Sequence, residues 1–208
     1  MVIDAFCLCA GLPKFLDPSP RSVQREDACL DAAVLVPILC DRQDPELLLT
    51  KRTEEVETHK GQISFPGGVA DGRDAGPAAT ALRETEEEVG LPSDLVEVAG
   101  FLPELRTPTG FCIVPVVGIV RAVPLLTPNA PEVAEIFRVP LAFFLDDRHA
   151  RAERMTVRGL QREVWFYEYA GRTIWGATAM IIRSLVERIR QCMEAQPSRE
   201  TLFESPGS

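Results

Sequence analysis

Arg83-Glu84-Thr85-Glu86-Glu87-Glu88-Val89-Gly90-Leu91 is the stretch on which the reading of the fold turns. It closes an Ala- and Glu-rich segment that Pro77 opens, and Gly90 with Pro92 ends it. Proline is tolerated in a first helical turn, and glycine readily takes the left-handed conformation that ends a helix, so the two mark a helix of about three to four turns. On it Glu84, Glu87 and Glu88 stand at i, i+3 and i+4 and share a face, while Glu86 points elsewhere. Like charges held this close cost stability unless cations offset them. Mg²⁺ or Mn²⁺ suits the arrangement, because such hard ions prefer carboxylate and water oxygens and leave positions for substrate phosphates. A solvated acidic face is the alternative for such a run taken alone. The Gly-rich turn before the helix and Arg83 beside the first candidate ligand favour the metal.

Outward from the helix, the apolar run Ala32 to Cys40 and the segment Glu46 to Lys51 flank Asp41-Arg42-Gln43-Asp44-Pro45, a turn composition that predicts a β-hairpin. Further strands are predicted at Leu95 to Leu102, Cys112 to Val120, Met155 to Val157 and Glu163 to Tyr169. Gly176 to Met193 places Met180, Ile181, Ile182, Leu185, Val186 and Ile189 at helical spacing, an amphipathic helix that packs on a core. Residues 1–30, with Pro13, Pro18 and Pro20, read as an irregular lead-in, 31–195 as one catalytic domain, and 196–208 as a flexible tail.

The chain has 208 residues, 46% of them apolar, enough for a sizeable core. Its formal charge of -9 opposes a general role in holding nucleic acid or anionic membrane. No run approaches the roughly 18 to 20 apolar residues of a membrane span, and no basic region precedes the short apolar N-terminal stretch, so a cytoplasmic protein is expected. The six cysteines form no CxxC pair and read as reduced thiols, and a count of two histidines argues against a classical structural zinc site. A homodimer is compatible with the composition, and nothing in the sequence marks its interface.

The helix and its preceding turn resemble the Nudix box, whose pattern reads G-x5-E-x7-R-E-U-x-E-E-x-G-U with U a bulky apolar residue. The second half matches at Arg83, Glu84, Glu87, Glu88, Gly90 and Leu91. Thr85 replaces the first bulky residue, Arg83 falls one position late counted from Gly68, and Asp74 lies near the place of the first Glu without being assigned to the metal. The resemblance implies an α/β (α+β) fold, a Nudix-type α/β/α sandwich with a mixed sheet between helices. It implies metal-dependent hydrolysis of a diphosphate, with Glu84 and Glu88 as the first metal ligands and Glu87 close behind. One of these glutamates, or Glu104, serves as general base, and Arg83 orients a glutamate.

A second resemblance covers Leu48-Leu49-Thr50-Lys51-Arg52-Thr53 through Gly61-Gln62-Ile63-Ser64-Phe65-Pro66-Gly67-Gly68. It is similar to the Nudix coenzyme A pyrophosphatase motif L-L-T-x-R-[SA]-x3-R-x3-G-x3-F-P-G-G. Arg52 and Lys60 offer cationic donors to phosphates, and Gly61, Gly67 and Gly68 allow the backbone close to a ligand; a strand and tight connection with Arg52 in a surface ion pair is the plainer alternative. Thr53 and Glu57 depart from the motif, and Glu57 reverses a charge. Further agreement at Leu102-Pro103, Thr109-Gly110, Val114 to Gly118, Glu132-Val133 and Ile174 to Ala179 extends the likeness over roughly Asp31 to Ile189. Glu132 is open between a metal-site role and a helix-start carboxylate. Coenzyme A or acyl-coenzyme A is the implied substrate; ADP-ribose or another nucleoside diphosphate derivative is the alternative that Glu57 supports. A non-catalytic nucleotide-binding module is the third reading, and the retained glutamates oppose it.

Overall fold

The computed structural model describes residues 5–20, 29–53, 61–157 and 159–195. Strand β1 (Leu30–Leu39) is the apolar run of the expected hairpin, and its alternation divides the molecule. Val36 and Ile38 face one hydrophobic layer, while Ala33, Leu35 and Leu39 face another. The period-two geometry of a strand sends successive side chains to opposite sides, so a continuous apolar run requires cover on both faces.

Strand β2 (Glu46–Arg52) is antiparallel to β1 but meets it only at Ile38↔Leu47 and Leu39↔Glu46. Two short strands, β3 (Ile63–Ser64) and β4 (Gly67–Val69), follow, and β4 takes the other half of β1's edge through Ala32↔Val69, Ala33↔Gly68 and Val34↔Gly67. The acidic helix α2 (Pro77–Val89), named after the N-terminal helix α1 (Ala5–Gly11), covers one face of the sheet and ends at Gly90 in the left-handed conformation. Strands β5 (Glu97–Phe101), β6 (Leu105–Arg106) and β7 (Phe111–Val120) come next. β7 runs parallel to β1 from Leu30↔Phe111 to Leu39↔Val120 and makes the sheet mixed. β8 (Val133–Pro140) pairs with β2 and leads into the short helix α3 (Leu141–Leu145). A separate antiparallel sheet of β9 (Ala150–Val157), β10 (Leu160–Tyr169) and β11 (Arg172–Trp175) feeds helix α4 (Gly176–Ala195). Ile181, Ile182, Leu185 and Ile189 of α4 join the layer opposite α2, which completes the α/β/α sandwich.

The expected helices and strands are present with shifted ends. A 3₁₀ turn, Ser93–Leu95, delays β5 to Glu97, while β9 and β10 begin earlier than their apolar patterns do. The N-terminal reading requires correction: Ala5–Gly11 is a helix, and a 3₁₀ turn follows at Leu12–Phe15. Leu8, Leu12 and Leu16 recur every four residues and are buried with α4, and Asp17 bridges to Phe101 through backbone hydrogen bonds of 3.0 and 2.9 Å. The prolines suggested irregularity, but Pro13 sits in a helical first turn, where it is accommodated. The expected flexible tail, 196–208, lies outside the described residues.

The cysteine reading is also corrected. Cys29 and Cys112 are joined by a disulfide across 83 residues, with Cα atoms 5.7 Å apart. Sequence spacing does not reveal the pair, because the parallel register of β1 and β7 makes them neighbours. Among the described residues, no helix is long and apolar enough to cross a membrane.

Candidate active site

The site forms where α2 lies over the β3–β4 turn. Ala81 and Val89 bury α2 against Leu35, Leu39 and Leu48, fixing the helix's rotation and turning Glu84 and Glu88 toward Gly67 and Gly68. The register anchors that turn: Leu35 N–H donates to the Pro66 carbonyl at 2.9 Å, and Val34 pairs with Gly67. Thr85, the departure from a bulky residue, is fully buried and donates its hydroxyl to the Ala81 carbonyl at 2.6 Å. A buried hydroxyl is acceptable there because the preceding helical turn satisfies it.

Both glycines sit at close approaches, Gly67 to backbone and Gly68 to the end of a side chain. A Cβ on Gly68 would stand 2.4 Å from Glu84 Cδ, and one on Gly67 would stand 2.3 Å from the Ala33 carbonyl oxygen. Gly67 also has φ +153°, a conformation that side chains disfavour. The glycine pair thus makes room for the acidic helix and the central strand.

Glu88 is almost enclosed, with its side chain 5% exposed. Gly67 N–H donates to its Oε2 at 3.2 Å, and Arg52 Nη1 lies 3.6 Å from its Oε1. Burial pushes its carboxyl pKa up to about 7; the charges of Glu132 and Glu84 add to the rise, and the Gly67 N–H and Arg52 oppose it. Arg52 comes from the end of β2, where the pairing with β8 slips between Lys51 and Arg52. Such an irregularity re-aims a strand's side chain. The buried Arg52 Nε has no hydrogen-bond partner among the described residues.

Arg83 organises the other carboxylate. Its Nε and Nη2 donate to both oxygens of Asp74 at 3.0 Å, and its Nη1 donates to Glu84 Oε1 at 2.7 Å. Asp74 is held in turn by the Thr80 hydroxyl at 2.8 Å. This fork holds the Asp74 carboxyl well below the usual carboxylate range and raises the Arg83 pKa further. Glu87 reaches Arg83 Nη1 at 3.4 Å but is 59% exposed. Glu104, on the loop between β5 and β6, is nearly buried with Arg106 Nε at 3.9 Å.

The upstream segment is brought to the same place. Leu48 packs under α2, Leu49 faces the opposite core, and Thr50 donates to the Ser64 carbonyl at 3.2 Å. Arg52 N–H donates to the Gln62 carbonyl, so Gly61 lies beside the base of the same turn. Lys60 and Glu57 fall outside the described residues. Glu132 precedes β8 in a turn, not at a helix start, and its carbonyl accepts from Thr53 N–H at 3.0 Å. The sequence reading assigned neither Asp74 as the clamp on Arg83 nor Thr80 as its support. The signal was Thr80 one helical turn before Arg83 on the same face.

Among the described residues, no three His, Cys, Asp or Glu side chains already stand close enough to share an ion. Glu84 and Glu88 nevertheless offer the oxygen donors that a hard divalent ion prefers, and burial, which raises the Glu88 pKa, disfavours its charge in the absence of a cation. The residues fit such an ion with Glu84 and Glu88 as the core donors.

The α/β/α sandwich with its acidic helix over a Gly-Gly turn agrees with the pyrophosphohydrolase class that comparisons with known proteins support. Residues 30–160 match the NUDIX domain model, and the chain belongs to the Nudix hydrolase family, whose members generally use divalent metals. It is 42% identical to a Photorhabdus laumondii protein named uncharacterized Nudix hydrolase NudL, over 84% of this chain and 92% of the relative. A Pectobacterium atrosepticum protein of the same name is 42% identical over 89% of this chain and 96% of the relative. The fold is similar to a NUDIX hydrolase from Alicyclobacillus acidocaldarius, with TM-score 0.52 and 18% identity over 78% of this chain and 93% of that one. A MutT/nudix family protein from Enterococcus faecalis gives TM-score 0.51 and 17% identity over 85% and 68%.

Proposed function

We propose that this enzyme hydrolyses the diphosphate linkage of coenzyme A or acyl-coenzyme A, giving adenosine 3',5'-bisphosphate and a 4'-phosphopantetheine product. The supporting observation is that the segment similar to the coenzyme A pyrophosphatase motif delivers Arg52 to Glu88 of the acidic helix, so the two motifs make one site. Glu84 and Glu88 would hold Mg²⁺ or Mn²⁺, with Glu87 as the next donor. When bound, the ion neutralises diphosphate charge and makes an attacking water more acidic.

The chain's own groups do the rest. Arg83, locked by Asp74, holds Glu84 in place, and Gly67 N–H orients Glu88. Arg52 keeps a buried Nε–H for a phosphate oxygen, and Lys60 adds a second cation. Glu84, Glu87 or Glu104 accepts the proton of the attacking water.

ADP-ribose or another nucleoside diphosphate derivative is the second reading, favoured by Glu57 where the motif has Arg. Mass spectrometry of products after incubation with Mg²⁺ or Mn²⁺ and either coenzyme A or ADP-ribose tests both. Adenosine 3',5'-bisphosphate at the higher specificity constant supports the first; preference for ADP-ribose selects the second. Glu57→Arg is expected to raise the specificity constant for coenzyme A, and an unchanged value removes Glu57 as a specificity determinant.

A further inference from the structure

The central strand β1 has a cysteine just outside each end: Cys29 before it, bonded to Cys112, and Cys40 after it. Cys40 Sγ lies 2.7 Å from Cys9 Sγ on α1. The two sulfurs are in direct contact, and a disulfide needs them about 2.05 Å apart, so only a small approach separates the dithiol from a bond. Neither sits on a loose segment. Cys40 N–H donates to the Val120 carbonyl at 2.8 Å, which continues the ladder to β7, and Cys9 is carried by a helix whose Leu8 and following Leu12 are buried. We propose that Cys9 and Cys40 are a dithiol pair that closes by two-electron oxidation into a second intrachain disulfide, clamping β1 to α1 at the end opposite the Cys29–Cys112 bond.

The surroundings favour the chemistry. Hydrogen bonding from Cys40 and the charge of Arg121 lower the pKa of Cys9, while that bond and burial raise that of Cys40, so the pair releases its first proton easily and retains the second. Cys40 is half-buried and Cys9 buried, so Cys40 is the sulfur that meets the oxidant. The oxidant class is a small-molecule disulfide. With the pair's first proton lost and the remaining one shifted onto Cys9 across the 2.7 Å contact, Cys40 attacks one sulfur of the small disulfide and releases its first thiolate. Cys9 then loses its proton and displaces the second thiolate from Cys40. Two electrons and two protons leave the protein, which gains one S–S bond, and the small disulfide leaves as two thiols.

Tying α1 to β1 bears on the site, because β1 carries the Gly67 and Gly68 partners Val34 and Ala33. The test uses the full chain incubated with oxidised glutathione, blocked with iodoacetamide and digested without reductant. Mass spectrometry is expected to find a peptide pair joining Cys9 to Cys40 beside the pair joining Cys29 to Cys112. Alkylation of both Cys9 and Cys40, glutathione retained on Cys40, or linkage of either to Cys7 or Cys192 overturns the proposal. As a second readout, oxidation is expected to raise the Tm of the natural chain by about 10 °C more than that of Cys40→Ser. Equal increments also overturn it.

Discussion

On the inner side of α2, Glu84 rests on Gly68 and Glu88 accepts the Gly67 N–H with 5% of its side chain exposed, whereas on the outer side Glu87 is 59% exposed and Glu86 reaches the Ser93 N–H at 3.4 Å. Helical spacing put Glu84, Glu87 and Glu88 on one face. The sheet divides that face, because Ala81 and Val89 fix the helix's rotation and only residues near that seam are enclosed. Environment, not residue type, separates a carboxylate suited to hold an ion from one that water solvates.

The division can be broken most severely at Glu88. Glu88→Gln keeps the shape and removes the charge, and turnover with Mg²⁺ is expected to fall roughly 10³-fold with folding retained, as measured by kcat/KM and circular dichroism. Near-normal turnover would remove Glu88 from the metal site. Gly68→Ala comes next. Its Cβ meets only the end of a flexible glutamate, so Glu84 swings aside at little cost in stability, and activity is expected to fall roughly 10²-fold through misplacement. A loss of stability without a loss of rate would show that Glu84 does not act from this position.

Proton linkage sharpens the comparison in the metal-free protein. Burial raises the Glu88 pKa to about 7 from its ordinary value of 4.5, so between these values the folded state binds more protons than the unfolded state. Stability contributed by the protonated carboxyl is therefore present below about pH 4.5 and lost as pH rises through about 7, a change of about 3 kcal/mol. Denaturant titrations across that window are expected to show the decline, and Glu88→Gln to flatten it. An equal slope in both proteins would place the linked proton elsewhere. The smallest effect belongs to the outer side, where Glu86→Gln is expected to change kcat/KM less than about twofold. A large loss there would mean that the solvated face also handles substrate.

The α2 helix was legible because its signals are local: Pro77 and Gly90 at its ends, and carboxylates at helical spacing. The paired apolar segments of β1 and β2 were legible for the same reason. α1 was not, since Leu8 within it and Leu12 and Leu16 just after it form an apolar stripe too short to stand alone, and only docking against α4 buries it. The role of Asp74 was not legible either, although its place near the motif's first Glu was, because that role exists only once Arg83 reaches back to the loop before the helix.

By itself the sequence determined the α/β class, the acidic helix and the Nudix likeness, all written in spacing within short windows. Tertiary structure alone decided which glutamate is buried, that Arg52 stands against Glu88, and that Cys29 meets Cys112. Each of these joins residues distant in the chain, and the parallel register of β1 and β7 and the packing of α2 bring them together. Burial and long-range pairing are properties of the assembled layers, so no local pattern encodes them.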